Sequence, residues 1–225
     1  MSLPLLILSL ACGSGGSSAT TPEVLSAAAQ KTTIASFEAL GAHILESRSE
    51  ITTAREGVED SLVSEVTRLR WQDDDHWQWV RERDGSRLSE VRVFDGVAWA
   101  ASGAAALRRR PDPEPLRASL ALDADPWVAT MGTAESRIGY TEAGEEEVEG
   151  RKVWRYVLSL LPGVSGGRKS RDVLAVEGQV WIDQATAVRL AGDVTVQTKS
   201  RDQTRNTHLR FTVTRIGGDA GVEPP

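Results

Sequence analysis

From His43 to near the C-terminus, one device repeats: a short run of alternating apolar and polar residues, a tight turn, then another run. Successive side chains of a strand point to opposite faces, so alternation marks a strand with one buried side. The first runs are residues 44–53, 62–71, 75–81, 88–94 and 97–99, with Asp84-Gly85 and Asp95-Gly96 as hairpin signals. Short turns force neighbours to pair antiparallel, so these five runs predict a meander. The pattern breaks at residues 108–115, which are charged and Pro-rich and read as a loop. Residues 116–122 have helical spacing, and Asp125-Pro126 looks like the cap and first turn of a short helix carrying Trp127 and Met131. Alternation then resumes at 138–140, 153–161, 173–183, 188–198 and 208–216, with a polar loop at 162–172.

Ahead of the strands, Thr21-Pro22-Glu23 opens a helix well: a cap candidate, a first-turn proline and an acid at the positive end. The apolar positions Val24, Leu25, Ala28, Ile34, Phe37 and Leu40 predict one amphipathic helix over 24–40, ended by Gly41. No linker divides the body. The expected fold class is α+β: one large curved antiparallel sheet, a half-barrel of about 10–11 strands, with helices covering its concave face. The domain is expected over residues 22–216, with 217–225 as a loose tail.

Of 225 residues, 26 are basic and 32 acidic, a net charge of −6. That argues against nucleic acid, whose phosphates need a concentrated basic surface. The single cysteine, Cys12, excludes an intramolecular disulfide and Cys-rich zinc sites. Residues 3–11 are apolar apart from Pro4 and Ser9, too short a run to span a bilayer but suited to a secretory h-region. Cys12 follows Ala11 and precedes a flexible Gly/Ser stretch, residues 13–18. This arrangement resembles a bacterial lipoprotein signal. The resemblance implies a signal peptide at 1–11, acylation of Cys12 with palmitate-type chains, and a tether over 12–21. Several acyl chains on one residue give stable anchoring. Gly13 rather than Asp follows the cysteine, which in that family favours the outer membrane, with the domain facing the periplasm.

Three stretches carry a second resemblance: RERDGSRLSEVRVFDGVAW, GYTEAGEEEVEGRKVWRYVLSL and EGQVWIDQATAVRLAGDVTV. Their turns and aromatic positions are similar to those of the LolA/LppX/RseB-type half-barrel family, and with the leading helix they cover nearly all of 22–216. The resemblance implies a protein that is not an enzyme, needs no cofactor, and holds acyl chains of lipids or lipoproteins, or another hydrophobic partner, on its concave side. A fixed anchor disfavours shuttling. A stationary lipid-binding role, or a protein-interaction role as an envelope sensor or assembly factor, fits better, and a monomer is expected.

Other chemical signals read as structure. Residues 163–167 match G-x-S-x-G, but the hydrolase elbow needs a strand before it and a helix after, and here Pro162 precedes and a basic loop follows. Asp73-Asp74-Asp75-His76 lacks a calcium loop's central glycine and acidic twelfth ligand, so a polar turn is expected, not a metal site. His43, His76 and His208 share no metal spacing. Arg108, Arg109 and Arg110 suit a solvated loop, or contact with anionic headgroups. Seven tryptophans against three phenylalanines and two tyrosines is an unusual balance. Trp77, Trp79, Trp99, Trp154 and Tyr156 either line an apolar cavity, and so form the ligand site, or fill the core between sheet and helices.

Overall fold

The computed structural model describes residues 21–132, 134–162 and 172–225. Cys12, Ser165, the signal segment and residues 12–20 of the expected tether lie outside them. Among the described residues the chain forms α1 (Thr21–Gln30), α2 (Thr33–Leu40), β1 (His43–Arg55), β2 (Val58–Asp73), β3 (His76–Arg83), β4 (Ser86–Phe94), β5 (Val97–Ser102) and β6 (Arg108–Arg110). It continues with α3 (Glu114–Asp123), α4 (Pro126–Met131), a 3-10 turn (Glu135–Arg137), β7 (Ile138–Val148), β8 (Arg151–Leu160), β9 (Asp172–Asp183), β10 (Arg189–Ser200) and β11 (Gln203–Thr214).

The strands make one curved antiparallel sheet in the order β6-β5-β4-β3-β2-β1-β11-β10-β9-β8-β7. The first and last strands therefore pair at its centre, Leu45 opposite Val213, and two meanders run outward as arms. The edges do not meet, so the sheet is a half-barrel. The turns form as their residues dictate: Asp84-Gly85, Asp95-Gly96 and Glu149-Gly150 all have positive φ, the backbone a two-residue hairpin needs. Gly178 holds a φ of +130°, and a Cβ there would meet the Asp193 carbonyl oxygen at 2.2 Å. β9 and β10 approach this closely only because position 178 has no side chain.

Three expectations need correction. The helix predicted over 24–40 is two helices. Thr32 interrupts it, and its Oγ1 accepts from the Ala35 amide to cap α2 afresh. Arg108, Arg109 and Arg110 form a short exposed edge strand rather than a loop, because the prolines that lack N–H donors begin only at Pro111. Three cations on an edge also discourage further strand addition. Residues 217–225 are not loose. Arg70 donates to the Gly221 carbonyl, Ala220 N to Gln72 Oε1, and Arg92 to the Pro224 carbonyl, which ties the tail to the outer face of β2 and β4.

Candidate functional site

Register shows what the inner face is made of. At one end, two rows cross the β1–β5 arm: His43, Trp71, Trp77, Val93 and Ala98, then Leu45, Leu69, Trp79 and Val91. All nine are buried. Phe37 and Leu40 of α2 and Trp127 and Met131 of α4 are buried in the same core. Phe37 lies 5.4 Å from both the His43 and Trp71 rings, centroid to centroid.

Two residues along each strand, the arms part company. From Ser47 the row runs through Thr67, Arg81 and Ser89 on one arm. On the other it runs through Phe211, Gly192, Val180 and Tyr156. The next row pairs Ser49 with Glu65 and Arg83 on the first side, and with Leu209, Val194, Gly178 and Leu158 on the second. A solvent-open cleft of about 190 Å³ follows, between this strip and α4, lined by Ser47, Glu65, Thr67, Arg81, Thr198 and Thr207 among others. Burial pushes the Glu65 carboxyl up, but hydrogen bonds from Arg81 (2.9 Å) and Arg83 (2.6 Å) prevail and hold it below its ordinary range.

One polar cluster ties the covering helices to the sheet. Glu135 accepts from Trp127 Nε1 (2.5 Å) on α4, from Tyr140 Oη (3.1 Å) on β7, and from Arg189 Nη2 (2.9 Å) on β10. Arg189 also donates to the Ala28 carbonyl of α1 at 3.3 Å, and its guanidinium sits 4.7 Å from the Trp127 ring centroid. Asp125 caps α4 by accepting from the Trp127 and Val128 amides, and burial pushes its carboxyl up. Of this cluster the sequence flagged only the Asp125 cap and Trp127. Glu135, Tyr140 and Arg189 are scattered in sequence and carry no spacing signal.

Four of the five aromatic candidates belong to one core, Trp77, Trp79 and Tyr156 within it and Trp154 packed against it. Trp77 and Trp79 are buried on β3, and Tyr156 is buried on β8 with the half-buried Trp154 beside it in the strand. Five strands lie between β3 and β8. Trp99 is on the other face altogether: it pairs with Arg92 and Arg109, whereas its neighbour Ala98 pairs with buried Val93. None of the five lines the cleft or the small cavity under α2. The polar turn behaves as a staple, with His76 bridging Asp73 (2.8 Å) and Asp95 (3.1 Å). These bonds, that to Asp73 first, hold its imidazole above the usual range. Among the described residues no three His, Cys, Asp or Glu side chains are grouped to hold a metal ion.

No protein-family model matches the chain, and no curated protein does. Solved structures do. The chain is similar to a LolA superfamily protein from Nitrosomonas europaea at 10% identity, covering 86% of this chain and 98% of that one, with a TM-score of 0.28. It is similar to the lipoprotein LppX of Mycobacterium tuberculosis at 12% identity, covering 84% and 94%, with a TM-score of 0.31. A further match, at 14% identity, is the Pseudomonas aeruginosa MucA/MucB complex, covering 90% of this half-barrel and 60% of that chain, with a TM-score of 0.28.

Proposed function

We propose that this chain is a non-enzymatic lipoprotein of the bacterial envelope, anchored through acyl chains on Cys12, that binds a hydrophobic ligand between its covering helices and its concave face. The domain faces the periplasm, with the outer membrane favoured. The observation that carries the reading is the continuous apolar floor from Val91 to Val213, covered by short separate helices rather than by a second sheet. The apolar space now open under α2 is about 30 Å³, room for roughly one water. Ligand pockets run to about 300 Å³ or more. Binding an acyl chain therefore requires the helices to lift, and the Glu135 cluster is what holds them down.

The test is organic extraction of the full chain carrying Cys12→Ser, followed by mass spectrometry. Co-purified lipid in stoichiometric amount is the expected result. A second reading, a protein-interaction module serving as envelope sensor or assembly factor, is favoured by the filled core, in which Trp71, Trp77 and Tyr156 are almost wholly enclosed. A clean protein mass, with no lipid-induced change in melting temperature, selects that reading. The same variant tests the anchor: without Cys12, acyl label and membrane association are both expected to disappear.

A further inference from the structure

The small cavity under α2 is walled by apolar groups, Phe37, Leu45, Trp127 and Phe211 among them, yet two unsatisfied polar atoms belong to its lining residues. The first is on His43, which is fully buried. Its Nδ1 lies 2.7 Å from the Gly41 carbonyl oxygen. A carbonyl only accepts, so Nδ1 carries the proton. Burial holds this imidazole below its usual pKa, outweighing the Gly41 bond, so the ring is neutral. Nε2 is then a bare lone pair, and it has no partner. The second atom is Arg189 Nε, a donor, also buried and also unpartnered. The remaining polar residues of the lining are occupied: Ser36 Oγ donates to the Thr32 carbonyl, and Asp125 accepts from the α4 amides.

Two unpartnered buried atoms of one cavity's lining residues, an acceptor and a donor, call for a group that does both. Leaving such atoms unmet when buried is costly, so native interiors rarely do it without a reason. We infer that this pocket receives the hydroxyl of an otherwise apolar ligand, which donates to His43 Nε2 and accepts from Arg189 Nε. The inference rests on the ligand-binding reading above and specifies its ligand: a hydrophobe with a terminal hydroxyl, entering hydroxyl-first beneath α2. A carboxylate is the wrong group, having no proton for Nε2. An ether is half right, since it accepts but cannot donate.

The experiment compares 1-decanol, decyl methyl ether and decane by equilibrium dialysis against the full chain carrying Cys12→Ser. Each affinity is expressed relative to that compound's transfer from water into hexadecane. Decanol is expected to bind roughly tenfold tighter than decane on this scale, with the ether between them. Adding His43→Phe, which keeps a ring but removes the acceptor, should erase decanol's advantage over decane. Should that variant fold poorly, ¹⁵N NMR of the His43 ring in the parent protein decides: Nε2 should shift as decanol is added and stay put with decane. Equal relative affinities, or an Nε2 resonance that ignores bound decanol because a resident water already fills the site, overturn this inference alone. Failure of all three compounds to bind overturns it together with the ligand-binding reading.

Discussion

At the level of Ser47 the two arms of the sheet are equal in register and opposite in chemistry. One arm presents Thr67, Arg81 and Ser89; the other presents Phe211, Val180 and Tyr156. Both arms alternate, both are antiparallel, and both curve. The difference lies only in which residue type occupies the inward position. On the apolar arm these positions are buried in the core. On the polar arm the same positions carry an ion-paired wall, and the open cleft extends from it onto Thr198 and Thr207 of β10 and β11. The lesson is that a half-barrel's site is set row by row rather than strand by strand. The helices follow suit. Their buried tie is Glu135 to Arg189 and Tyr140 on the apolar arm, while the tie to the other arm is the more exposed Arg117–Asp74 pair.

The largest test of this contrast is truncation. Tyr156→Ala, in the closed core, should cost about 3–5 kcal/mol in urea denaturation. Thr67→Ala, in the same row on the polar arm, should stay within about 1 kcal/mol. Similar costs at the two positions would break the comparison.

Next comes the helix tie. Glu135→Gln removes the charge that Arg189, Tyr140 and Trp127 share, and should cost about 2 kcal/mol. Amide exchange should quicken in α4 and α1 while β1 and β11 keep their protection. Uniform loosening would mean the cluster does not act on the helices in particular.

A smaller effect sharpens the account of the polar wall. Glu65 has a depressed pKa in the folded state, so its contribution is present above roughly pH 5 and is lost as pH falls through that depressed value. Glu65→Gln should flatten the acid limb of the stability curve by less than about 1 kcal/mol, because Arg81 and Arg83 are partly solvated. An unchanged acid limb would place the acid sensitivity elsewhere, with Asp183 and its Arg151 partner the next candidate.

Smallest is the change at Trp99. Trp99→Phe, on the outer face, should alter the melting temperature hardly at all, whereas Trp77→Phe should lower it measurably. The reverse order would put Trp99 back on the ligand side.

Much of the architecture was readable beforehand because alternation and turn chemistry are local. Asp84-Gly85 and Asp95-Gly96 dictate hairpins wherever they stand. The Asp125 cap was legible for the same reason. Thr32 shows the limit: a helix continuing through 31–33 and one restarted by a Thr cap have the same apolar spacing. Trp99 shows another. It reads as one of a set of aromatics, but inward and outward positions are fixed by pairing, and Trp99 falls one residue out of step with the inner row.

The sequence by itself determined the antiparallel strands, their turns, the two short helices of the middle segment and the single thiol at the end of an apolar run. Only the tertiary structure decided that Trp71, Trp77, Trp79 and Trp127 are buried in the core while Trp99 takes the outer face, that Glu135 and Arg189 meet, and that His43 keeps a bare lone pair beneath α2. Those facts depend on residues far apart in the chain, brought together by the central pairing of β1 with β11 and by where each helix settles. No local pattern encodes such distances.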